Sequence, residues 1–280
     1  MKTFDWKEKL LTVLFWLAAL AVVGILFSII GYIVWKGIAV VNLDFILEAP
    51  SRAGREGGIS IAIVGTVYLT AVSLAIATPL GVGTAIYLEE YARRRSKFAY
   101  LVNLTSETLA GVPSIVFGLF GFVFFVIFLG MGWSVLSGSL TLAIMLLPTI
   151  TRTAQEAILA VPHEYRENSL ALGASKWQTV SRIIIPSALP GIVTGIILSI
   201  GRAVGETAAV ILTAGSSLGM PGGLFDPART MSVHLYILAT EGISLERAFG
   251  TAFLIVILVI VINYFANLSL YRLSHSRNNR

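Results

Sequence analysis

Long uncharged stretches recur along the chain: Leu10 to Trp35 (26 residues), Ile59 to Leu88 (30), Thr108 to Thr151 (44) and Ala248 to Tyr271 (24). Each exceeds the ~20 residues that a helix needs to cross the hydrocarbon core of a bilayer. The third run is too long for one helix and carries a turn signal at its middle, Gly130-Met-Gly-Trp-Ser and Gly138, so it divides in two. A further apolar stretch runs from Leu189 to Leu212. The pattern predicts an all-α polytopic membrane protein with six transmembrane helices, at about 10–35, 59–87, 106–129, 138–159, 189–212 and 248–271. Residues 1–58 then hold the first helix and a loop, 59–271 a transmembrane core, and 272–280 a tail.

The first helix is too long for the apolar part of a signal peptide, and its small residues, Ala18 to Ala21, sit mid-run instead of at a cleavage position. It is expected to be retained. Segment 36–58, with Asn42, Asp44, Pro50, Gly54, Gly57 and Gly58, reads as a loop.

Composition closes off other classes. With 56% hydrophobic and 12% charged residues and a mean hydropathy of +0.85, the chain lies far from soluble domains, where charged residues run near ~25%. There is no cysteine, so disulfides, thiolate metal sites and a cysteine nucleophile are excluded. The net charge of +5 is a matter of sidedness. Placing the N-terminus inside puts fourteen cations on the cytoplasmic side (Lys2, Lys7, Lys9, Arg93, Arg94, Arg95, Lys97, Arg152, Arg166, Lys176, Arg182, Arg272, Arg277 and Arg280) and five on the other: Lys36, Arg52, Arg55, Arg229 and Arg247. That bias fits the positive-inside rule with both termini cytoplasmic, and no nucleic-acid partner is needed to explain it. No Gly-Lys-Ser/Thr phosphate loop occurs, and Gly81-Val-Gly83 lacks a third glycine, so the chain is not expected to bind a nucleotide itself. His163, His234 and His275 show no ligand spacing, and no metal site is expected.

The segment between the fourth and fifth spans, 162–186, is unusual for a cytoplasmic loop. Pro162 opens it, Glu164 to Leu172 reads as a short helix stopped by Gly173, and Ser175 can cap a second helix from Lys176 to Ile185 before Pro186. Tyr165, Leu170, Leu172 and Trp177 need a partner surface, either the underside of the bundle or another protein.

Arg202 and Glu206 stand out inside the fifth span, where each charge costs about 2.5 to 3.5 kcal/mol. Four residues apart, they are expected to share a helical face and form an ion pair. That pair either fastens helices together or lies on an anion path, where the planar guanidinium meets an oxyanion and Glu206 limits how tightly it is held. Gly191, Gly195, Gly201 and Gly205 form two small-xxx-small pairs expected to admit a neighbouring helix. Glu107 opens the third span ahead of Gly111, Pro113 and Ser114, where a loosened backbone can face a cavity; Glu107 is expected to be half-buried. Arg152 and Glu156 are expected to form an interfacial bridge.

Glu167 to Gly173, nine further residues, and then Ile183-Ile-Ile185-Pro186 resemble the EAA loop of permease subunits of bacterial ATP-binding-cassette importers. Asn168, Ser169 and Ile185 depart from that pattern. Gly65-Thr-Val-Tyr-Leu-Thr70, Ala85-Ile-Tyr-Leu-Glu-Glu-Tyr-Ala92, Leu109-Ala-Gly-Val-Pro-Ser-Ile-Val-Phe-Gly118 and Gly201-Arg-Ala-Val-Gly-Glu-Thr207 are more narrowly similar to phosphate-importer permeases of the PstA type, over roughly residues 57–270. The resemblance implies the type I ABC importer permease fold. It also implies a phosphate pathway using Arg202 and Glu206, to which Glu107 and Ser114 are added as candidates, and an ATPase-coupling helix at the 162–186 loop. There Tyr165, Glu167, Leu170, Gly173 and Trp177 are the candidate docking residues. The implied partners are a PstC-type permease forming the other half of the pore, two ATPase subunits, a soluble phosphate-binding protein, inorganic phosphate and membrane lipid. No cofactor is expected on this chain, ATP being used by the partner. Two other readings are carried: a permease for phosphonate, sulfate or molybdate, and an intramembrane enzyme, which would leave the 162–186 loop unexplained.

Overall fold

Helix α1 (Trp6–Ile38) grows from the first uncharged run and stands at the edge of the molecule, most of its apolar length exposed within the chain. The computed structural model describes residues 6–93 and 96–278; Lys2, Arg94, Arg95 and Arg280 of the charge count lie outside them. α1 is attached through α12 (Leu245–Asn278), which continues past the expected end at 271. Tyr32 meets Phe249 edge-on, with ring centroids 5.5 Å apart. Gly37 lies so close to Phe249 and Phe253 that a methyl group would collide with both.

The segment expected as plain loop has structure. Asn42 caps α2 (Leu43–Leu47), its side-chain oxygen accepting from the Phe45 amide at 2.7 Å. A minimal antiparallel hairpin follows, β1 (Pro50–Ser51) with β2 (Glu56–Gly57), Pro50 opposite Gly57.

The centre of the bundle is α6 (Val135–Leu159), packed against α3 (Ser60–Ile86). Leu142, Met145, Leu146 and Ile150 of α6 are buried with Leu69 and Ala77 of α3. Lipid is as apolar as leucine, so close approach does what the hydrophobic effect does in water. Gly81 accordingly lies against Ile150, and Gly138 against Leu69 and Ala214, at separations that leave no room for a side chain.

Two of the six expected spans differ from the continuous helices read from composition. The third is α4 (Lys97–Ala110) followed by α5 (Ser114–Gly121) and a π-helical continuation, Phe122–Phe128, the two halves meeting at 106°. Gly111 and Pro113 make the break, since Pro113 supplies no amide to continue α4. Glu107 therefore lies in the last turn of α4 and does not open a span. The fifth span rises from α8 (Lys176–Thr179) through the π-helical turn Val180–Ile184 into α9 (Ile185–Gly205), and stops seven residues short of the expected Leu212. A separate short helix, α10 (Ala208–Thr213), an irregular stretch and α11 (Met231–Thr240) lead to α12. Among the described residues five helices are long and apolar enough to cross a membrane, and six when the bent pair counts as one.

Candidate functional site

Arg202 lies in the last turn of α9, against the middle of α6, where Nη1 donates to Thr149 Oγ1 at a long 3.4 Å. Among the described residues no carboxylate comes within ion-pair distance of it. The expected pairing with Glu206 does not form, because the helix ends between them. Glu206 has φ −74° and ψ 128°, an extended backbone that turns it off the face of Arg202. Its carboxylate caps α10 instead, Oε1 accepting from the Ala209 amide at 3.1 Å. The four-residue spacing was right only for an unbroken helix. Arg202 is thus a half-buried guanidinium in mid-bundle with most of its donors uncommitted, able to accept an oxyanion.

Below it, toward the Leu159 end, α6 carries polar contacts at successive turns. Arg152 pairs with Glu156 on its own helix at 3.1 Å, as expected, and also with Glu107 of α4 at 3.3 Å. Glu107 is exposed within the chain, which corrects the half-buried placement. Gln155 donates to Asn103 of α4 at 3.1 Å and to Glu89 at 2.8 Å. Thr149, Arg152 and Gln155, at intervals of three, make one polar stripe. The sequence signal for it was available as i, i+3 spacing, but only the fold shows which helices it faces. Ser114 starts α5 just past the break, half-buried and away from these contacts. Gly191 and Gly195 pack α9 on α6, against Ala157 and Thr153, as expected; a methyl group at Gly201 or Gly205 would meet nothing within 4 Å, so among the described residues the second small-residue pair admits no close neighbouring helix.

At the Leu159 end the chain folds into the elbow read from its capping signals. α7 (His163–Ala171) ends at Gly173, whose φ of +85° suits glycine, and α8 begins in a complete capping box of Ser175 and Gln178. Ser169 and Thr179 share a buried hydroxyl–hydroxyl hydrogen bond of 2.8 Å that fixes one helix on the other. The apolar side chains face outward: Leu172 is 90% exposed and Trp177 64%, with Leu170 and Tyr165 also exposed. Glu167 is exposed and contacts His163. The alternative that these groups pack under the bundle does not hold within this chain.

The opposite end holds a buried cluster with no counterpart in the sequence reading. Arg229, 7% exposed, donates through Nε to the Ser216 carbonyl at 2.9 Å and through Nη1 to His234 Nδ1 at 3.2 Å. Burial, then the charges of Arg229 and Arg247, push the His234 pKa down to about 4, so the ring is neutral and accepts. Burial also lowers the pKa of Arg229. Among the described residues no group of three His, Asp or Glu gathers as metal ligands.

The family described as binding-protein-dependent transport system inner membrane component matches residues 77–278. The chain is 36% identical over 272 residues to the probable ABC transporter permease protein YqgI of Bacillus subtilis, covering 91% of this chain and 92% of the relative. It is 34% identical over 266 residues to the phosphate transport system permease protein PstA of Mycobacterium leprae, covering 92% and 87%. Among solved structures, a bacterial ABC transporter that imports the acidic polysaccharide alginate superposes with a TM-score of 0.68 at 16% identity, covering 95% of this chain and 98% of the other. The methionine ABC transporter MetNI, in an inward-facing conformation, gives 0.62 at 20% identity, covering 77% and 94%. The type I importer permease fold and the outward-facing elbow thus accompany a match over most of the chain, and the protein belongs to the family of binding-protein-dependent transport system inner membrane components.

Proposed function

We infer that the chain is the permease subunit of an ATP-driven phosphate importer, a multi-pass protein of the bacterial inner membrane and not itself an enzyme. The observation that carries the oxyanion assignment is Arg202, a mid-bundle guanidinium held among the described residues only by a threonine hydroxyl, alongside relatives named as phosphate transport permeases. A planar fork with free donors matches two phosphate oxygens at once. Passage needs binding weak enough to release. Partial burial supplies attraction, and Glu206 and Glu107 place negative charge near the route so that the anion is not retained. Ser114, at the bend of the third span, adds a hydroxyl to the same pathway.

The chain forms half of the pore with a PstC-type permease. Two ATPase subunits dock at the elbow through Tyr165, Glu167, Leu170, Gly173 and Trp177, and a soluble phosphate-binding protein delivers substrate at the opposite face. Both termini face the cytoplasm, ATP is used by the ATPase, and this chain holds no cofactor. Cysteine labelling tests the orientation on a cysteine-free background: Ser96→Cys should react only from inside and Ala53→Cys from outside. The substrate is tested by ATP turnover of the reconstituted complex with its binding protein. Stimulation by phosphate and not by sulfate, molybdate or phosphonate is expected; stimulation by another oxyanion alone would reassign the cargo.

A further inference from the structure

The motif Tyr87-Leu-Glu-Glu-Tyr91 is not among the residues assigned to the anion pathway above, and its two carboxylates are engaged in different directions. The segment winds as a π-helical turn at the end of α3, a winding frequently found at functional sites. Consecutive residues on such a turn point roughly 80 to 100° apart. Glu90 turns to the elbow, and Glu89 to the junction of α6 and α4.

Glu90 Oε1 accepts from Arg166 Nε of α7 at 2.9 Å, and Nη2 of the same guanidinium lies within ion-pair distance at 2.8 Å. The side chains are 8% and 17% exposed. The same guanidinium donates from Nη1 to the Val161 carbonyl at 2.9 Å and from Nη2 to the Ile158 carbonyl at 3.0 Å, where α6 ends. One arginine therefore joins α7, the end of α6 and the end of α3. A second tie comes from α8, whose Lys176 ammonium sits 5.0 Å above the Tyr91 ring. The Ser169–Thr179 bond makes α7 and α8 move together. On the other side of the turn Glu89 accepts from Gln155, which reaches Asn103 of α4. One turn along lies Arg152 with Glu107, and one further Thr149 with Arg202.

We propose that Arg166 and Glu90 are positioning residues that clamp the elbow to α3 and α6, so that displacement of the elbow reaches the polar stripe on α6 and the helix that carries Arg202. Neither touches the anion. The proposal rests on the elbow being the ATPase-docking element. A structural ion pair could serve only to shape the elbow. What favours transmission is the placement of both partners where the ends of α3 and α6 meet both elbow segments, with the neighbouring carboxylate continuing the contacts inward. A buried charge pair resists separation because either partner left alone is stranded without compensation, so it transmits movement as a rigid unit.

The test uses the assembled complex in proteoliposomes, with ATP hydrolysis, phosphate uptake and ATPase recovered with the permease measured together. Glu90→Gln should retain the ATPase and continue to hydrolyse ATP, while phosphate moved per ATP falls about tenfold. Glu90→Asp, which keeps the charge on a shorter arm, should recover most of that ratio. Unchanged phosphate per ATP in Glu90→Gln would overturn the proposal, as would a fall that Glu90→Asp does not relieve. Loss of the ATPase from Glu90→Gln alone would show that the pair merely shapes the elbow. A wild-type permease that recovers no ATPase would instead remove the docking assignment, and this clamp with it.

Discussion

Arg166, on the elbow helix α7, and Arg202, in the last turn of α9, are treated in opposite ways. Arg166, at the inner end, has its donors consumed by Glu90 and two carbonyls. Arg202, in the middle, is offered one threonine hydroxyl at the limit of hydrogen-bond length. A saturated guanidinium is a fastener. One with free donors in a low-dielectric setting attracts an anion. The difference separates parts that hold the machine together from parts that handle its cargo, and chemical type alone would not have done so.

The largest effect is expected where the donors are free. Arg202→Gln should reduce phosphate uptake by more than about a hundredfold, with the complex still assembled, and Arg202→Lys should restore only a fraction, a point charge replacing a two-pronged donor. Because Glu206 is not its ion-pair partner here, Arg202→Gln with Glu206→Gln should be as inactive as Arg202→Gln alone. Uptake restored in the double variant would mean that the two charges do pair during transport, and the contrast with Arg166 would collapse.

The elbow was legible in the sequence because its signals are local: Ser175 three residues before Gln178 makes a capping box, and Gly173 supplies a left-handed turn. The spans were legible for the same reason, as runs of composition. The site was not. Reading Arg202 and Glu206 as a pair assumed a helix running through Gly205, whereas Thr207 and the α10 cap form a break that hydropathy does not register. The role of Gly191 and Gly195 followed from spacing, but Gly201 and Gly205, spaced alike, admit no close neighbouring helix among the described residues. Which face of a helix is covered depends on its neighbours. The Arg229–His234 contact was invisible for that reason too, since a lone histidine gives no signal of a buried partner.

Arg229 extends the comparison to a third arginine, buried at the end opposite the elbow and facing a neutral imidazole instead of a carboxylate. Folding holds the His234 pKa at about 4, well below the ordinary ~6.5. Above that ordinary value the ring is neutral in both states and contributes nothing to pH dependence. As pH falls from about 6.5 towards 4, the unfolded chain takes up a proton that the folded chain refuses, so stability declines across that window by about 3 kcal/mol. Thermal denaturation in detergent should show the decline, and His234→Gln, whose amide oxygen can still accept from Arg229, should flatten it. An undiminished slope in His234→Gln would place the titrating group elsewhere.

At the elbow the expected effect is smaller, because only a turn is disturbed. Gly173→Leu forces a branched side chain into φ +85° with open space around it, so the cost is backbone strain of about 1–2 kcal/mol and no clash. ATPase recovered with the permease should fall about tenfold while membrane insertion is unchanged. Glu167→Arg reverses a charge on the same surface and should also weaken docking. Full recovery of the ATPase and normal uptake in both variants would remove the elbow from coupling.

The smallest effect bears most directly on why Arg202 is free. If Glu206 serves as a cap for α10, its worth lies in an oxygen placed to accept from the Ala209 amide, and its charge is secondary. Glu206→Gln keeps such an oxygen and should leave the stability of the folded chain nearly unchanged. Glu206→Ala removes it and should cost about 1 kcal/mol, the usual value of a lost helix cap. An ion-pair role predicts the reverse grouping, with glutamine and alanine equally harmful because each strands the Arg202 charge. Denaturation midpoints of the two variants distinguish these cases. Equal losses would return Arg202 to the class of fasteners beside Arg166, and a loss confined to alanine would leave its donors open for the anion.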